Sequence, residues 1–212
     1  KDTVLDVVAN AREINFGGGE PFISPWIIEI LQMIDSKTPL QFNTNMTKIN
    51  DKVLNALEKF DSVYIIASID GVGKHNNYLR HGSDWSVVED NFKKFQSMPN
   101  VRIEIGYILQ HSSVYTLQNV VEFANTNNIW IWMSEVADDS GHLGINSVLT
   151  EDINRAKSQL DYCTYEQRQT VQCWLDSYYF DAKLHKKYKE YVKTLDSIRG
   201  TDFVKTFNPS WA

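Results

Sequence analysis

Apolar positions along this chain recur with two different periods. In "REINF", "LQFNTN", "SVYIIASID", "VRIEIGYIL" and "IWIWMSEV" they fall on every second residue, which predicts five strands. Between the strands the spacing is three or four. Ile27, Ile28, Leu31 and Ile34 form one such set, and Val53, Leu54, Leu57 and Phe60 a second. Trp85, Val88, Phe92 and Phe95 form a third, and Leu117, Val120, Val121 and Ala124 a fourth, which predicts four intervening helices. Pro25 is placed to open the first helix, where proline is tolerated, and Asn50 or Asp51 to cap the second. "KDTVLDVVAN" reads as an amphipathic helix ending near Val8, and "GVGKHNNYLRHGS" as a loop. From Thr150 onward the pattern is helical, rich in tyrosine, with Gly200 as a stop.

Strict alternation of strand and helix predicts a parallel sheet with helices outside. The strands are two-faced. One face carries Glu13 and Asn15, then Gln41, Asn43 and Asn45, then Ser68 and Asp70, then Glu104 and Gln110. The other carries Ile14, Phe16, Phe42, Val63, Ile65, Ile69, Ile103, Ile105, Tyr107 and Leu109. Parallel sheets are seldom left bare, so the polar face must line a wet or ligand-filled lumen. The alternative is a sheet with one solvated face. The expected fold is α/β: an incomplete (β/α) barrel with a curved parallel sheet of about five or six strands and a helical C-terminal tail. The expected division is a barrel part over residues 1–149 and a tail over 150–212.

Composition narrows the functional classes. The chain has 212 residues, 42% hydrophobic and 12% aromatic, enough for a core and too apolar for disorder. A net charge of −6 argues against a nucleic-acid surface. No apolar run approaches the roughly 18 residues that span a bilayer, and the start does not read as a signal peptide, so a cytoplasmic protein is expected. Cys163 and Cys173 lie in the helical stretch. If it is one helix they fall on different faces, so they read as reduced thiols rather than a disulfide. His75, His81, His111, His142 and His185 show no metal-ligand spacing. No G-x-S-x-G elbow is present, and "GVGKHN" fails the phosphate-loop pattern. The aromatic tail (Tyr162, Tyr165, Trp174, Tyr178, Tyr179, Phe180, Tyr188 and Tyr191) reads as helix packing, with a substrate surface as the alternative.

In parallel β/α arrays ligands collect at the C-terminal ends of the strands. Those ends read "GGGEP", "NTN", "SIDG" and "WMSEV". Three consecutive glycines cost conformational entropy, and close approach of a ligand to the backbone would account for them. Glu20 is placed either to accept from a ligand ammonium or to cap the following helix. Ser68 and Asp70 share the lumen parity, though Asp70 also suits a turn before Gly71.

In combination these elements resemble the radical S-adenosylmethionine superfamily. "GGEP" at Gly18–Pro21 is similar to that family's loop for the methionyl amine, and "NTN" at Asn43–Asn45 to its "TN" element. "SIDG" followed by "HNNYLRHG" resembles the corresponding stretch of the sulfatase-maturing and peptide-modifying branches. "YILQ" and "WMSEV" match the fifth and sixth strands, and the tail resembles a shortened "twitch" appendage. The resemblance covers roughly Leu5 to Val136. It implies that Gly18 and Gly19 present backbone to the methionine moiety, that Glu20 and Pro21 shape the loop at its amine, and that Thr44 and Asn45 line the cavity. It implies that Ser68 bonds the ribose or carboxylate with Asp70 in support, that Arg80 pairs with the carboxylate, and that Met133 lies near the adenine. Arg80 as a solvated loop charge and Met133 as core are the plainer alternatives.

The family holds a [4Fe–4S] cluster on three cysteines spaced C-x3-C-x2-C. Neither that motif nor the strand before it occurs here, and Cys163 and Cys173 cannot replace it. The implied parent is an enzyme that makes a 5′-deoxyadenosyl radical and abstracts hydrogen from a peptide or small metabolite. This chain is expected to be inactive alone and to offer an exposed sheet edge for self-association. Two other readings stand beside it: a non-catalytic binding protein on the same fold, and a β/α-barrel hydrolase or lyase using carboxylates such as Glu13, Glu104 and Asp70.

Overall fold

The computed structural model describes Val8 and residues 11–212. The expected N-terminal helix therefore lies outside the described residues. Five strands form one parallel sheet in the order β1 (Ile14–Phe16), β2 (Leu40–Thr44), β3 (Val63–Ser68), β4 (Val101–Leu109) and β5 (Ile131–Glu135). In register, Asn15 lies opposite Gln41, and Gln41 opposite Tyr64. Helices connect the strands, so the architecture is the incomplete β/α barrel that the alternation predicted. Buried and half-buried residues alternate through β2 and β3, with Leu40, Phe42, Val63, Ile65 and Ala67 inside. Among the described residues no helix is long and apolar enough to cross a membrane.

The chain divides into two compact units. The first comprises Lys1–Ser68 and Asp84–Ile105. Its helices are α1 (Ile27–Met33), α2 (Asp51–Leu57) and, after α3 (Lys74–Leu79) of the other unit, α4 (Trp85–Gln96). Asn50 caps α2 by accepting from the Val53 N–H at 3.0 Å, as the sequence suggested. The core is aromatic: Phe42 stacks on Phe16 at 4.5 Å and meets Phe22 at 4.9 Å, and Phe22 reaches Phe95 at 5.5 Å. Phe22, Phe42 and Phe95 are buried, and each contributes about 1.5–3 kcal/mol, while Phe16 is half-buried. One boundary differs from expectation. α1 begins at Ile27, not at Pro25, because Ser24 is extended, as residues before proline usually are, and its hydroxyl accepts the Trp26 N–H. It is Pro21 that opens a helical turn, a single 3-10 turn over Pro21–Ile23.

The second unit comprises Ile69–Ser83 and Gly106–Ala212. The stretch read as a loop after β3 contains α3 (Lys74–Leu79). Two glycines and two asparagines hid it from the periodicity. A Cβ at Gly71 would stand 2.9 Å from His75 Cβ, so only glycine lets the chain turn this tightly onto the helix. The remaining helices are α5 (Ser113–Asn127), α6 (Thr150–Ser158), α7 (Tyr165–Asp176), α8 (Ala182–Arg199) and α9 (Phe203–Phe207). Gly200 ends α8 with φ 65, as expected of a helix stop. Cys163 follows a 3-10 turn at Gln159–Tyr162, whereas Cys173 lies inside α7, so the two do not share one helix. The tail aromatics split. Trp174 and Tyr188 are buried, while Tyr165 and Tyr179 are 72% and 61% exposed.

Candidate functional site

The first unit carries the glycine loop and the end of β2. Gly17, Gly18 and Gly19 are all exposed, and no atom lies within 4 Å of where a Cβ would stand on any of them. Gly18 has φ +95, which side chains rarely adopt. Gly17 and Gly19 carry neither that strain nor a crowding neighbour, so the fold does not itself require glycine there. The backbone there is open to approach.

Glu20 joins this loop to β2. Its Oε1 accepts from the Thr44 hydroxyl at 2.7 Å, and its Oε2 accepts from the Asn45 N–H at 2.7 Å. Oε1 also accepts from the Phe22 N–H at 3.4 Å, so the capping role exists as well. Each carboxylate oxygen has two lone pairs, so Oε2 keeps room for one further donor. Thr44 is buried, and Pro21 occupies the first position of the 3-10 turn. Asn45 uses its own amide oxygen locally, accepting from the Thr47 N–H and hydroxyl. Two positions earlier, Asn43 Oδ1 is buried without a partner. Met46 follows in the left-handed region at φ 61, fully buried, its carbonyl accepting from Asn91 Nδ2 at 2.8 Å. The sequence pattern carries no sign of that conformation. Ser68 is half-buried and ends β3.

Lower in the same sheet, Tyr64 donates to Glu104 Oε2 at 2.5 Å and Arg102 pairs with Oε1. Burial, then the Glu104 carboxylate, push the Tyr64 phenol up to about 12. Glu104 is thus engaged on both oxygens. Glu13 is exposed outside β1.

The second unit carries Asp70, Arg80 and Met133. Arg80 Nη2 donates to Asp70 Oδ2 at 2.7 Å, and Asp70 Oδ1 accepts from the Ile108 N–H at 3.3 Å. Sequence reasoning paired each of these residues with a ligand and missed the pair they make with one another. A charge reversal at a spacing of ten, across a helix unseen in the pattern, gave no signal. Arg80 Nε remains buried without a partner, so the guanidinium is only partly satisfied. Met133 is half-buried. It lines a cavity of about 450 Å3 with Leu109, Glu135, Gln169, Thr170 and Cys173, so α7 reaches the end of β5.

Two implied groups can be weighed against these residues. For the methionyl end of S-adenosylmethionine the residues of the first unit fit: open space over the glycines, a free lone pair on Glu20 and an unpartnered Asn43 Oδ1. For a [4Fe–4S] cluster it is not. Among the described residues no three His, Cys, Asp or Glu side chains group to hold a metal, and the two cysteines are one thiolate short. Burial also pushes the Cys163 thiol up, which disfavours its thiolate.

No family model matches the chain, and no curated protein matches it. Solved structures do. The Streptococcus suis protein SuiB bound to S-adenosylmethionine aligns with TM-score 0.55 and 18% identity over 74% of this chain and 36% of that one. A second SuiB structure gives 0.55 and 17%, over 85% and 42%. SuiB bound to its precursor peptide SuiA gives 0.55 and 16%, over 93% and 44%. At these identities the likeness is one of fold, and the chain spans less than half the length of those proteins.

Proposed function

We propose that this chain is part of the core of a radical S-adenosylmethionine enzyme. The observation that carries the reading is the Glu20 carboxylate, which ties "GGEP" to the "TN" element through Thr44 and Asn45. These are two of the motifs that bear the family resemblance. The fold shared with SuiB, seen with S-adenosylmethionine bound, supports it.

S-adenosylmethionine, held by the residues below, would supply the radical chemistry for hydrogen abstraction only in a protein that also carries the cluster. The cluster would require cysteines other than the two in this chain. The residues here bind and orient. Gly17–Gly19 leave backbone open to the methionyl group, and Glu20 Oε2 accepts from its ammonium. Arg80, held by Asp70, offers its unused N–H to a carboxylate. Met133 contributes apolar surface for adenine, and Ser68 a hydroxyl at the end of β3. A peptide is the favoured substrate class, since SuiB is seen with its precursor peptide.

Gly19→Val tests this cleanly, because position 19 has room for a side chain and no positive φ, whereas position 18 has one. The chain should bind S-adenosylmethionine with a Kd of about 1 mM, worth about 4 kcal/mol, since no iron anchors it. Amide resonances of Gly17–Glu20 and Asn45 should shift on titration. Gly19→Val should melt with the parent chain and lose the shifts. Equal binding by both chains, or no shift at those amides, defeats the proposal.

A further inference from the structure

A cavity of about 370 Å3 in the second unit plays no part in the function proposed above. Its walls come from α8, α9 and the C-terminal residues: Lys189, Val192, Lys193, Asp196, Val204 and Trp211. The volume lies near the lower end of small-molecule sites. The Trp211 ring stacks on Phe203 with centroids 5.8 Å apart and planes within 2°, which fixes the indole as one flat wall. Val192, buried, and Val204 continue the apolar surface. Lys189 Nζ stands over the indole, 4.6 Å from the ring centroid.

The polar groups leave a donor excess. Lys189 and Lys193 are four residues apart on α8 and so share a face. Neither makes an ion pair among the described residues. Asp196 forms no ion pair with either, and its oxygens are taken by neutral donors, Oδ1 by the Tyr78 and Thr201 hydroxyls and Oδ2 by the Phe203 N–H. Glu190 also lines the cavity, but it is exposed and its Oε1 lies 3.9 Å from Lys186 Nζ. Trp211 Nε1–H is buried with no acceptor. A buried donor without a partner is costly, and an oxygen acceptor in the cavity would relieve it.

We propose that this cavity binds a small apolar carboxylate. Its hydrocarbon or aromatic body packs on Trp211, Val192 and Val204. Its carboxylate takes the two lysine ammoniums and the indole N–H. The two ammoniums without an ion pair select the head group, and the flat apolar wall selects the body.

The test titrates phenylbutyrate, phenylbutanol and acetate into the chain, followed by calorimetry and by the Trp211 indole N–H resonance. Phenylbutyrate should saturate and move that resonance. Phenylbutanol should bind about tenfold more weakly, and so should phenylbutyrate to Lys189→Gln or Lys193→Gln. Both lysines are exposed, so both variants should melt with the parent chain. Lys187→Gln, outside the cavity lining, is the control and should bind as the parent does. Trp211→Phe keeps a ring and removes the donor, and should weaken the acid more than the alcohol. The proposal is overturned by equal binding of acid and alcohol, by acetate binding as well as phenylbutyrate, by indifference to both lysine changes, or by no saturation.

Discussion

Both oxygens of the Glu20 carboxylate are held inside the molecule, by the Thr44 hydroxyl and the Asn45 N–H. Bonds to an ionised acceptor are worth about 1.5–3 kcal/mol each, and deleting the acceptor strands the buried Thr44 hydroxyl. Glu20→Ala should therefore lower stability by about 2 kcal/mol. Glu20→Gln, which keeps one acceptor, should cost about half as much. Urea unfolding midpoints at constant slope would measure both. A change of under a few tenths of a kcal/mol would mean that the loop and strand are held by other contacts. The sequence offered two roles for this residue, helix cap and ligand acceptor. The structure shows the cap and adds a third, the tie to β2, because partners 24 and 25 positions away cannot be read from local pattern. The same blindness applied to Asp70 and Arg80. Their residue types were legible and their mutual pairing was not.

At the scale of elements, the strands were the legible part. Each is bounded by turn residues, so all five stand where period two placed them, although burial alternates cleanly only in β2 and β3 and Ile103–Tyr107 of β4 are all buried. The helices were legible where apolar spacing was dense and failed where it was dilute, as in α3. The joints between helices were not visible at all. One is Asp152 in α6, buried, whose carboxylate accepts from Tyr115 on α5 at 2.7 Å and from Ser210 N–H and hydroxyl in the C-terminal segment. This clamp, more than local propensity, fixes the last residues. Asp152→Ala leaves a buried phenol and a backbone N–H without acceptors, and should cost about 3 kcal/mol. Partial proteolysis should then cut after α9 far faster than in the parent chain, while the β1–β3 region stays resistant. Uniform proteolysis along the chain would show that the clamp serves global folding instead.

Across the whole molecule, the groups whose titration is set by burial predict how stability depends on pH. His111 is buried, stacked on Tyr188 with ring centroids 3.4 Å apart. Its Nδ1 lies 2.6 Å from the Ser147 hydroxyl, and that hydroxyl donates to the Gly144 carbonyl at 2.7 Å. With its only proton so used, Ser147 must accept from His111, which fixes the neutral tautomer with Nδ1–H. Burial, helped by the neighbouring His185, holds His111 well below its ordinary value, and burial lowers His75 too. The sign follows. A histidine that stays neutral when folded but titrates near about 6.5 when unfolded favours the native state fully above that pH. Its contribution is lost as pH falls below it, because the unfolded chain takes up the proton. Each strongly depressed histidine removes up to about 1.4 kcal/mol per pH unit. Burial opposes ionisation of Asp138, but bonds from Ser140 and Leu143 hold it below its ordinary value, so it acts only at lower pH. Urea unfolding should therefore show a plateau from about pH 7 to 8 and a fall of about 1–2 kcal/mol by about pH 5.5. His111→Asn, which keeps an amide N–H near Ser147, should start less stable from the lost ring but show a shallower acid limb. An acid limb as steep in His111→Asn as in the parent chain would move the effect to other groups and show that His111 takes up its proton in the folded state.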